Sequence, residues 1–321
     1  MSAPHVSVML DEVLEALAPQ DGERFIDGTF GAGGYARGIL EASNCQVLGI
    51  DRDPTAIARG QGMANEFDGR LQMALGNFGD LDILAADAGF APIDGIALDL
   101  GVSSMQFDEG ERGFSFSHDG PLDMRMGGEA QGGRTAADIV NEDDMSDLVR
   151  ILKDYGEERR ARAVALAIDA ARNVSPITRT GQLAEIVKRA IGSRGKPDRI
   201  HPATRTFQAL RIAVNDELGE LERGLIAAER ALATNGRIAV VSFHSLEDRI
   251  IKQFFTARSG GGAHSSRHVP DLPDGPAPTF ELLFRGTKKP SDEEVSQNPR
   301  ARSAKLRAAK RTSAPAWEGQ T

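Results

Sequence analysis

The sequence predicts an α/β fold with a Rossmann-like, mostly parallel sheet and an inserted all-helical domain. Short apolar runs alternate with helical stretches over residues 23–99, a pattern typical of βαβ units and a parallel sheet. Strand-free helical patterns then occupy residues 135–192, and the alternation resumes after residue 201. The 321 residues are enough for one large domain with an insertion, or for two domains.

Four apolar runs predict the first strands, over residues 24–27, 46–50, 71–75 and 93–98. The first ends in Asp27, and the second and fourth are followed by Asp51 and Asp99. Ligands in open α/β sheets bind outside the carboxyl ends of the strands, so Asp99 is expected beside the binding cleft. Asp53 before Pro54 predicts the start of a helix, because an acid caps the helix and proline suits its first position.

The rest of the chain divides into a loop, a helical insertion and a return to the sheet. Residues 101–133 predict a long ordered loop, and residues 135–200 the inserted domain, so the main domain comprises residues 1–134 and 201–321. Apolar residues at three- and four-residue spacing predict one long helix from His201 through Leu225. A strand follows at 238–241, then a helix capped by Ser245 and Asp248, and an antiparallel strand pair at 280–284 and 304–308.

Composition excludes several classes of protein. The net charge of −9 means that a nucleic-acid partner must bind to local basic patches. The single cysteine, Cys45, excludes an internal disulfide framework, and with six scattered histidines it provides no zinc-ligand spacing, so no metal site is predicted, although whether a metal ion assists any reaction stays open. The acidic N-terminus does not resemble a signal peptide, and no apolar run approaches a membrane span. We therefore expect a cytoplasmic protein with no membrane partner.

A glycine-rich loop follows the first predicted strand and precedes a helix. Its sequence runs from Asp27 through Gly34, and such glycines let the backbone approach a ligand closely. The segment Gly31–Ala36 fits the dinucleotide fingerprint, and Asp51 at the end of the next strand could hold the ribose hydroxyls of either NAD or S-adenosylmethionine. The loop sequence also resembles the nucleoside-binding loop of class I S-adenosylmethionine-dependent methyltransferases. Phe78, after the third strand, could then stack on the adenine.

The chain closely resembles the bacterial RsmH (MraW) family over nearly its whole length. The motifs that carry the resemblance are long, and they occur in one order, which makes them specific as a set. They lie at residues 5–12, 27–34, 49–54, 98–106, 111–116, 120–126, 155–159, 201–208, 242–249 and 298–303.

The resemblance implies an activity, a cofactor and a set of site residues. Members of the family transfer a methyl group from S-adenosylmethionine to N4 of a cytidine in the decoding region of 16S rRNA, in the small ribosomal subunit. One departure is Tyr35, where the family commonly has histidine. The cofactor-binding residues implied are Gly33, Gly34, Tyr35, Asp51, Phe78, Asp99 and Gln106.

Two residues are candidates for the chemistry. The exocyclic amine of cytosine is a poor nucleophile, and the Asn/Asp-Pro-Pro-aromatic loop of many amino-methyltransferases is replaced here by Asp99-Leu-Gly-Val. We hypothesise that positioning dominates and that a carboxylate or carbonyl near Asp99 accepts a hydrogen bond from N4. His244, at the end of the fifth strand, is the second candidate, as a proton relay. A structural role for His244 is the competing interpretation.

Two basic stretches on an acidic chain predict RNA contacts. Residues 188–211 and 285–311 each carry a net charge of +6, which suits phosphate binding; an ordinary solvated charged face is the alternative. The target base must leave its stack to reach the methyl donor. The predicted RNA-binding residues are Arg194, Lys196, Arg199, Arg205, Gln208 and Arg211, with Phe107, Phe114, Phe116 and Phe243 as candidate stacking partners.

Three functions remain open on the residues alone. They are an RNA cytidine N4-methyltransferase, an NAD-linked oxidoreductase that shares the glycine fingerprint, and a non-catalytic RNA-binding factor with a vestigial fold. Binding of S-adenosylmethionine rather than NAD separates the first two, and RNA binding without methyl transfer identifies the third. The sequence leaves the oligomeric state undetermined, with a homodimer as one expectation.

Overall fold

The computed structural model describes residues 7–101, 109–129, 132–192, 201–260 and 276–317. The chain forms two compact units. The sheet unit comprises Met1–Gly101 and Leu218–Thr321, and the helical unit comprises Val102–Glu217. Among the described residues, no helix is long and apolar enough to cross a membrane.

A seven-stranded sheet forms the centre of the sheet unit. Its order is β3-β2-β1-β4-β5-β7-β6; β1 to β5 run parallel, and β7 runs antiparallel to both β5 and β6. This confirms the predicted parallel strands and the late antiparallel pair. The strands are β1 Arg24–Asp27, β2 Gln46–Asp51, β3 Leu71–Leu75, β4 Ile93–Asp99, β5 Leu232–Ser242, β6 Phe280–Leu282 and β7 Lys305–Arg311.

One predicted helix start is confirmed, that of α3. Asp53 accepts a hydrogen bond from the Thr55 amide at 2.9 Å and precedes Pro54, which confirms the predicted start of α3. The helices are α1 Leu10–Leu17, α2 Gly34–Ala42, α3 Pro54–Ala64, α4 Leu81–Asp87, α5 Ala136–Glu142, α6 Met145–Asp154, α7 Ala161–Arg172, α8 Thr180–Ile191, α9 Thr204–Asn215, α10 Glu217–Ala231, α11 Ser245–Arg258 and α12 Asp292–Gln297.

The strand register gathers three acids at one edge of the sheet. Asp27 lies opposite Gly49 of β2 and Ala97 of β4, so β1 is paired on both sides at its carboxyl end. Asp51 ends β2 and Asp99 ends β4. Because the strand order reverses between β1 and β4, this edge is the topological switch point where α/β proteins bind ligands.

The helical unit has its own apolar core, and its limits differ from those predicted for the insertion. Phe114, Leu122 and Met124 pack in one cluster with residues of α5 to α8, and Phe207 and Leu210 of α9 belong to the same cluster. The loop before residue 135 and the helix after residue 203 therefore contribute to this core. The unit runs from residue 102 to 217, whereas the sequence suggested residues 135–200.

Two local expectations are wrong. The long helix expected from His201 through Leu225 is two helices, because Asp216 takes a left-handed conformation, with φ of 48°, between α9 and α10. The cap of α11 is His244 rather than Ser245, and its partner is Glu247 rather than Asp248. Asp248 instead pairs with Lys305 and Arg307 of β7.

Candidate functional site

The glycine loop between β1 and α2 is held by Asp27. Its two carboxylate oxygens accept hydrogen bonds from the backbone N–H groups of Thr29, at 3.3 Å, and Ala36, at 3.0 Å. Gly33 caps α2 with φ of 80°, a conformation that favours glycine. Gly28 lies against β4, where an added Cβ atom would be 2.5 Å from Cδ2 of Leu98. The loop therefore turns tightly into α2, and beside the Ala36 N–H that Asp27 binds, the first turn has the backbone N–H groups of Gly34 and Tyr35 to offer a ligand.

Asp51 and Arg59 hold the loop from its other side. One oxygen of Asp51 accepts the Gly31 N–H at 2.7 Å, and the other accepts the Asp53 N–H at 2.8 Å. Nη1 of Arg59, on α3, donates to the Gly31 carbonyl at 2.9 Å. Both polar backbone groups of Gly31 are thus bound by side chains. Each Asp51 oxygen keeps a further lone pair that can accept a ligand hydroxyl.

Asp99 has a buried carboxylate oxygen at this edge of the sheet that makes no hydrogen bond to the described residues. Its backbone N–H donates to Oγ1 of Thr29 at 2.6 Å, which ties the end of β4 to the glycine loop. Its Oδ1 atom is buried and has no hydrogen-bond partner among the residues that the structure describes. A buried acceptor with no partner is costly. This oxygen is therefore a candidate for contact with a bound donor group or a cation.

The pKa values of all three carboxyl groups at this edge, those of Asp27, Asp51 and Asp99, are raised. Burial raises the pKa of Asp27 from 3.8 to about 7, against the opposing effect of its backbone hydrogen bonds. Burial also raises the pKa of Asp51. The pKa of Asp99 is raised well above its ordinary value by burial and by the nearby Asp27 and Glu247. Such a cluster favours a cationic ligand and disfavours the pyrophosphate of a dinucleotide.

Tyr35, the residue that departs from the family pattern, points into the core. Its side chain is buried, and its hydroxyl donates to the carbonyl of Val8 at 2.6 Å. Burial and neighbouring acids raise the pKa of this hydroxyl well above its ordinary value. The backbone of Tyr35, in the first turn of α2, remains the part that can contact a ligand beside Gly33 and Gly34.

Phe78 lies just beyond β3 and packs against α10. A Cβ atom added at Gly224 of α10 would be 2.5 Å from Cδ2 of the Phe78 ring. The absence of a side chain at position 224 therefore leaves room for this ring. The ring is half-buried and joins the apolar cluster of that face of the sheet. Part of its surface therefore remains for a stacking ligand.

His244 caps α11. Its Nδ1 atom accepts the Glu247 N–H at 3.4 Å, while Glu247 accepts the backbone N–H groups of Phe243 and His244 at 2.8 and 3.2 Å. Nε2 lies 3.0 Å from Oε1 of Glu247, but outside hydrogen-bond geometry, and has no other hydrogen-bond partner among the described residues. This arrangement assigns the proton of the neutral ring to Nε2.

The predicted RNA-binding side chains of α9 make contacts within the helical unit. Arg205 donates to the Glu157 carbonyl at 3.2 Å, and Gln208 donates to the Tyr155 carbonyl at 3.0 Å. Arg211 forms a two-pronged ion pair with Glu217, at 2.7 and 2.8 Å. Arg211 is therefore already neutralised.

Several other predicted residues, namely Gln106, Phe107, Arg194, Lys196 and Arg199, lie outside the described residues.

The C-terminal basic stretch is also paired in part. Lys305 and Arg307 share Asp248, Lys288 pairs with Glu15, and the buried Arg311 donates to the Glu229 carbonyl. A count of charges along the chain overstates the free charge of this segment.

Of the other candidate aromatics, Phe114 is buried at 5% exposure, and Phe243 packs against the core of the sheet unit.

Sequence reasoning did not single out Asp27, Thr29 or Arg59 as site residues. Asp27 and Thr29 lie inside the loop motif, so an acid and a hydroxyl beside the glycines were the available signal. Arg59 has no signal in the sequence, because its contact with Gly31 exists only when α3 folds against the loop.

The sheet order with its antiparallel β7, the glycine loop after β1 and the acids that end β2 and β4 define a class I S-adenosylmethionine-dependent methyltransferase. Residues 2–312 match the MraW methylase family, and the chain belongs to this family.

Close relatives bear one name. The chain is 58% identical over 315 residues to "Ribosomal RNA small subunit methyltransferase H" of Parvibaculum lavamentivorans, covering 98% of this chain and 91% of that one. It is also 58% identical over 316 residues to the protein of that name in Paramagnetospirillum magneticum, covering 98% of each. Among solved structures, an S-adenosylmethionine-dependent O-methyltransferase of Thermotoga maritima aligns with a TM-score of 0.40 at 11% identity, covering 97% of this chain and 68% of that one.

Proposed function

We propose that this protein methylates N4 of a cytidine in the decoding region of 16S rRNA, within the small ribosomal subunit. The family and the names of the relatives support rRNA of the small subunit as the substrate. The resemblance described above supports the cytidine and its N4 atom. The observation that carries the proposal is the cluster of Asp27, Asp51 and Asp99, with the unpartnered Oδ1 of Asp99 at its edge.

The residues of this edge fit S-adenosylmethionine. Asp51 has free lone pairs for the ribose hydroxyls, the first turn of α2 offers backbone N–H groups beside Gly33, and the exposed part of the Phe78 ring can stack on adenine. Gln106 is a further proposed contact. When bound, the cofactor supplies an electrophilic methyl group on a sulfonium, whose positive charge suits the acid cluster.

Asp99 is proposed to position the amine. Its raised pKa means that the carboxyl group binds a proton more readily than an ordinary aspartate while no cation is near. A positive charge at this edge lowers the pKa again, which favours the ionised form, whose Oδ1 can accept a hydrogen bond from N4. That bond orients the nitrogen lone pair for in-line attack, which is where positioning contributes to the rate.

The proton of the amine must leave after the methyl group is transferred. His244 is the proposed alternative relay, but its Nδ1 accepts the Glu247 amide, and in that tautomer Nε2 already carries a proton. His244 would have to release the cap of α11 in order to accept a proton. This geometry favours the capping role for His244 over catalysis, so the carboxylate of Asp99, proposed to accept the hydrogen bond from N4, would take up the proton and pass it to solvent.

The test uses small subunits isolated from cells that lack this modification. Incubation with labelled S-adenosylmethionine and the purified enzyme should place label in N4-methylcytidine after nuclease digestion of the 16S rRNA. Label in another nucleoside would contradict the proposed target. Binding of subunits without any methyl transfer would instead indicate a non-catalytic RNA-binding factor.

A cytoplasmic location and a homodimer remain predictions.

A further inference from the structure

The helical unit carries a pair of stacked rings that the site described above does not use. The rings of Phe116 and His201 have centroids 4.4 Å apart and planes inclined by 21°. Phe207 packs edge-on against Phe116, with centroids 5.2 Å apart and planes at 80°. Phe207 is buried, Phe116 is half-buried and His201 is exposed. The three rings thus form a continuous row of aromatic contacts that runs from the buried Phe207 to the exposed His201.

The outer ring is held in place before any ligand arrives. Nδ1 of His201 accepts the backbone N–H of Ala203 at 3.2 Å, and Ala203 is itself fully buried at the start of α9. Phe116 supports the inner face of the imidazole. Because the ring is already ordered, a molecule that stacks on it does not have to immobilise it.

A planar aromatic ligand next to a positive charge fits this surface best. Arg205 lies in the first turn of α9, four residues after His201, and its exposed side chain donates one hydrogen bond to the Glu157 carbonyl. Its remaining N–H donors suit a phosphate. Proteins that bind unpaired nucleotides combine aromatic faces for the bases with basic side chains for the backbone.

We propose that His201, supported by Phe116, is a stacking platform for an unpaired base of the RNA substrate, with Arg205 on the neighbouring phosphate. The inference rests on the proposed function, since it names how the same enzyme recognises its RNA. The base that stacks here is one that the enzyme recognises, and Phe116 acts as its support rather than as a direct partner.

Four variants separate stacking from a merely structural role of His201. H201F keeps an aromatic ring but loses the Nδ1 acceptor. H201N keeps a short polar acceptor but loses the ring, and H201A loses both. H118A removes another exposed histidine of the helical unit and serves as the matched control, since the backbone carbonyl of His118 that Thr180 contacts is retained.

The KM for undermethylated small subunits should rise about tenfold in H201A and H201N, from the strength of one base stack. H201F and H118A should stay within about twofold of the unsubstituted enzyme, by the same measure. Neither kcat at saturating subunits nor the KM for S-adenosylmethionine should change, and thermal melting should show that each variant is folded.

The proposal is overturned if H201F loses as much as H201A, because the cap on Ala203 would then be the important feature. It is equally overturned if H201A binds subunits normally. Filter retention of the same subunits measures binding without catalysis. If the unsubstituted enzyme failed to methylate them, this assay would still test the platform, so failure of the proposed function and failure of this inference are distinguishable.

Discussion

The glycine loop of the sheet unit and helix α9 of the helical unit use their polar side chains in different ways. In the loop, Asp27 and Asp51 accept hydrogen bonds from nearby backbone N–H groups. Both residues still lie at the edge of the sheet where a ligand can bind. On α9, Arg205, Gln208 and Arg211 all bind groups of their own unit, and Arg211 is paired with an acid. Both segments carry polar side chains that the sequence offers as candidate binding residues.

The difference shows what a polar residue needs in order to be a binding residue. The loop motif dictates its own backbone path, so its acids are placed by local contacts and retain unused lone pairs. The α9 residues are long side chains on a helix surface, where Glu217 neutralises Arg211, while Arg205 and Gln208 each donate one hydrogen bond to a backbone carbonyl. Charge that is already compensated contributes little to phosphate binding. The predictions below test each side of this contrast.

The largest effect is expected for Asp99→Asn. The amide removes the negative charge at the unpartnered oxygen, so kcat should fall about 100-fold or more, and the affinity for S-adenosylmethionine should also weaken because the acid cluster loses charge that faces the sulfonium. The matched control is Asp94→Asn at the opposite end of β4, where the side chain accepts the Arg24 N–H at 2.9 Å. Full turnover by Asp99→Asn, measured by methyl transfer to subunits, would remove Asp99 from the chemistry.

The second prediction concerns Asp27 and the pH dependence of stability. The folded protein raises the pKa of this group from 3.8 to about 7, so the folded state binds the extra proton. This contribution to stability is complete below pH 3.8 and is lost as the pH rises through about 7. Between pH 5 and 7, the ligand-free protein should lose about 2 kcal/mol of unfolding free energy from this group.

Denaturant titrations of Asp27→Asn and of the exposed Asp87→Asn measure this effect. The pH dependence should flatten in the first variant and persist in the second. An unchanged slope in Asp27→Asn would mean that another group of the cluster binds the proton.

The third prediction concerns Arg59 as a positioning residue for the loop. Arg59→Met removes the donor to the Gly31 carbonyl, so the KM for S-adenosylmethionine should rise about tenfold with kcat nearly unchanged. Arg59→Lys should recover part of the loss. Arg37→Met is the control, because it removes another arginine whose contacts, ion pairs with Glu41 and Glu66 and a cation–π contact with Phe67, lie away from Gly31. Equal effects of the two methionine variants would exclude a specific role for Arg59.

The smallest effect should separate the two arginines of α9. Arg205→Gln should lower the salt dependence of subunit binding by about one phosphate contact and weaken binding about threefold. Replacing Arg211 and Glu217 together by glutamine removes both charges of the pair and should leave the salt slope unchanged. A reduced slope in the double variant would show that Arg211 leaves Glu217 to bind RNA.

The edge of the sheet proposed to bind the cofactor was largely predictable from sequence, because its parts are local. Acids that end strands, a glycine loop before a helix, and Asp53 before Pro54 each specify a turn or a cap within a few residues, and the register then aligns Asp27, Asp51 and Asp99. The break at Asp216 and the cap at His244 were mispredicted. Apolar periodicity continued through the break, and Ser245 and Asp248 offered an equally good capping pattern.

By itself, the sequence determined the parallel sheet, the glycine loop and the acids at the strand ends, because each follows from contacts between neighbours in the chain. Only the tertiary structure decided which charges are free and which rings are exposed. The pairing of Arg211 with Glu217, the contact of Arg59 with Gly31 and the stack of His201 on Phe116 join residues that are brought together by packing. Whether a side chain is buried or paired depends on the residues that surround it in the folded protein. The order of residues along the chain does not show which residues these are.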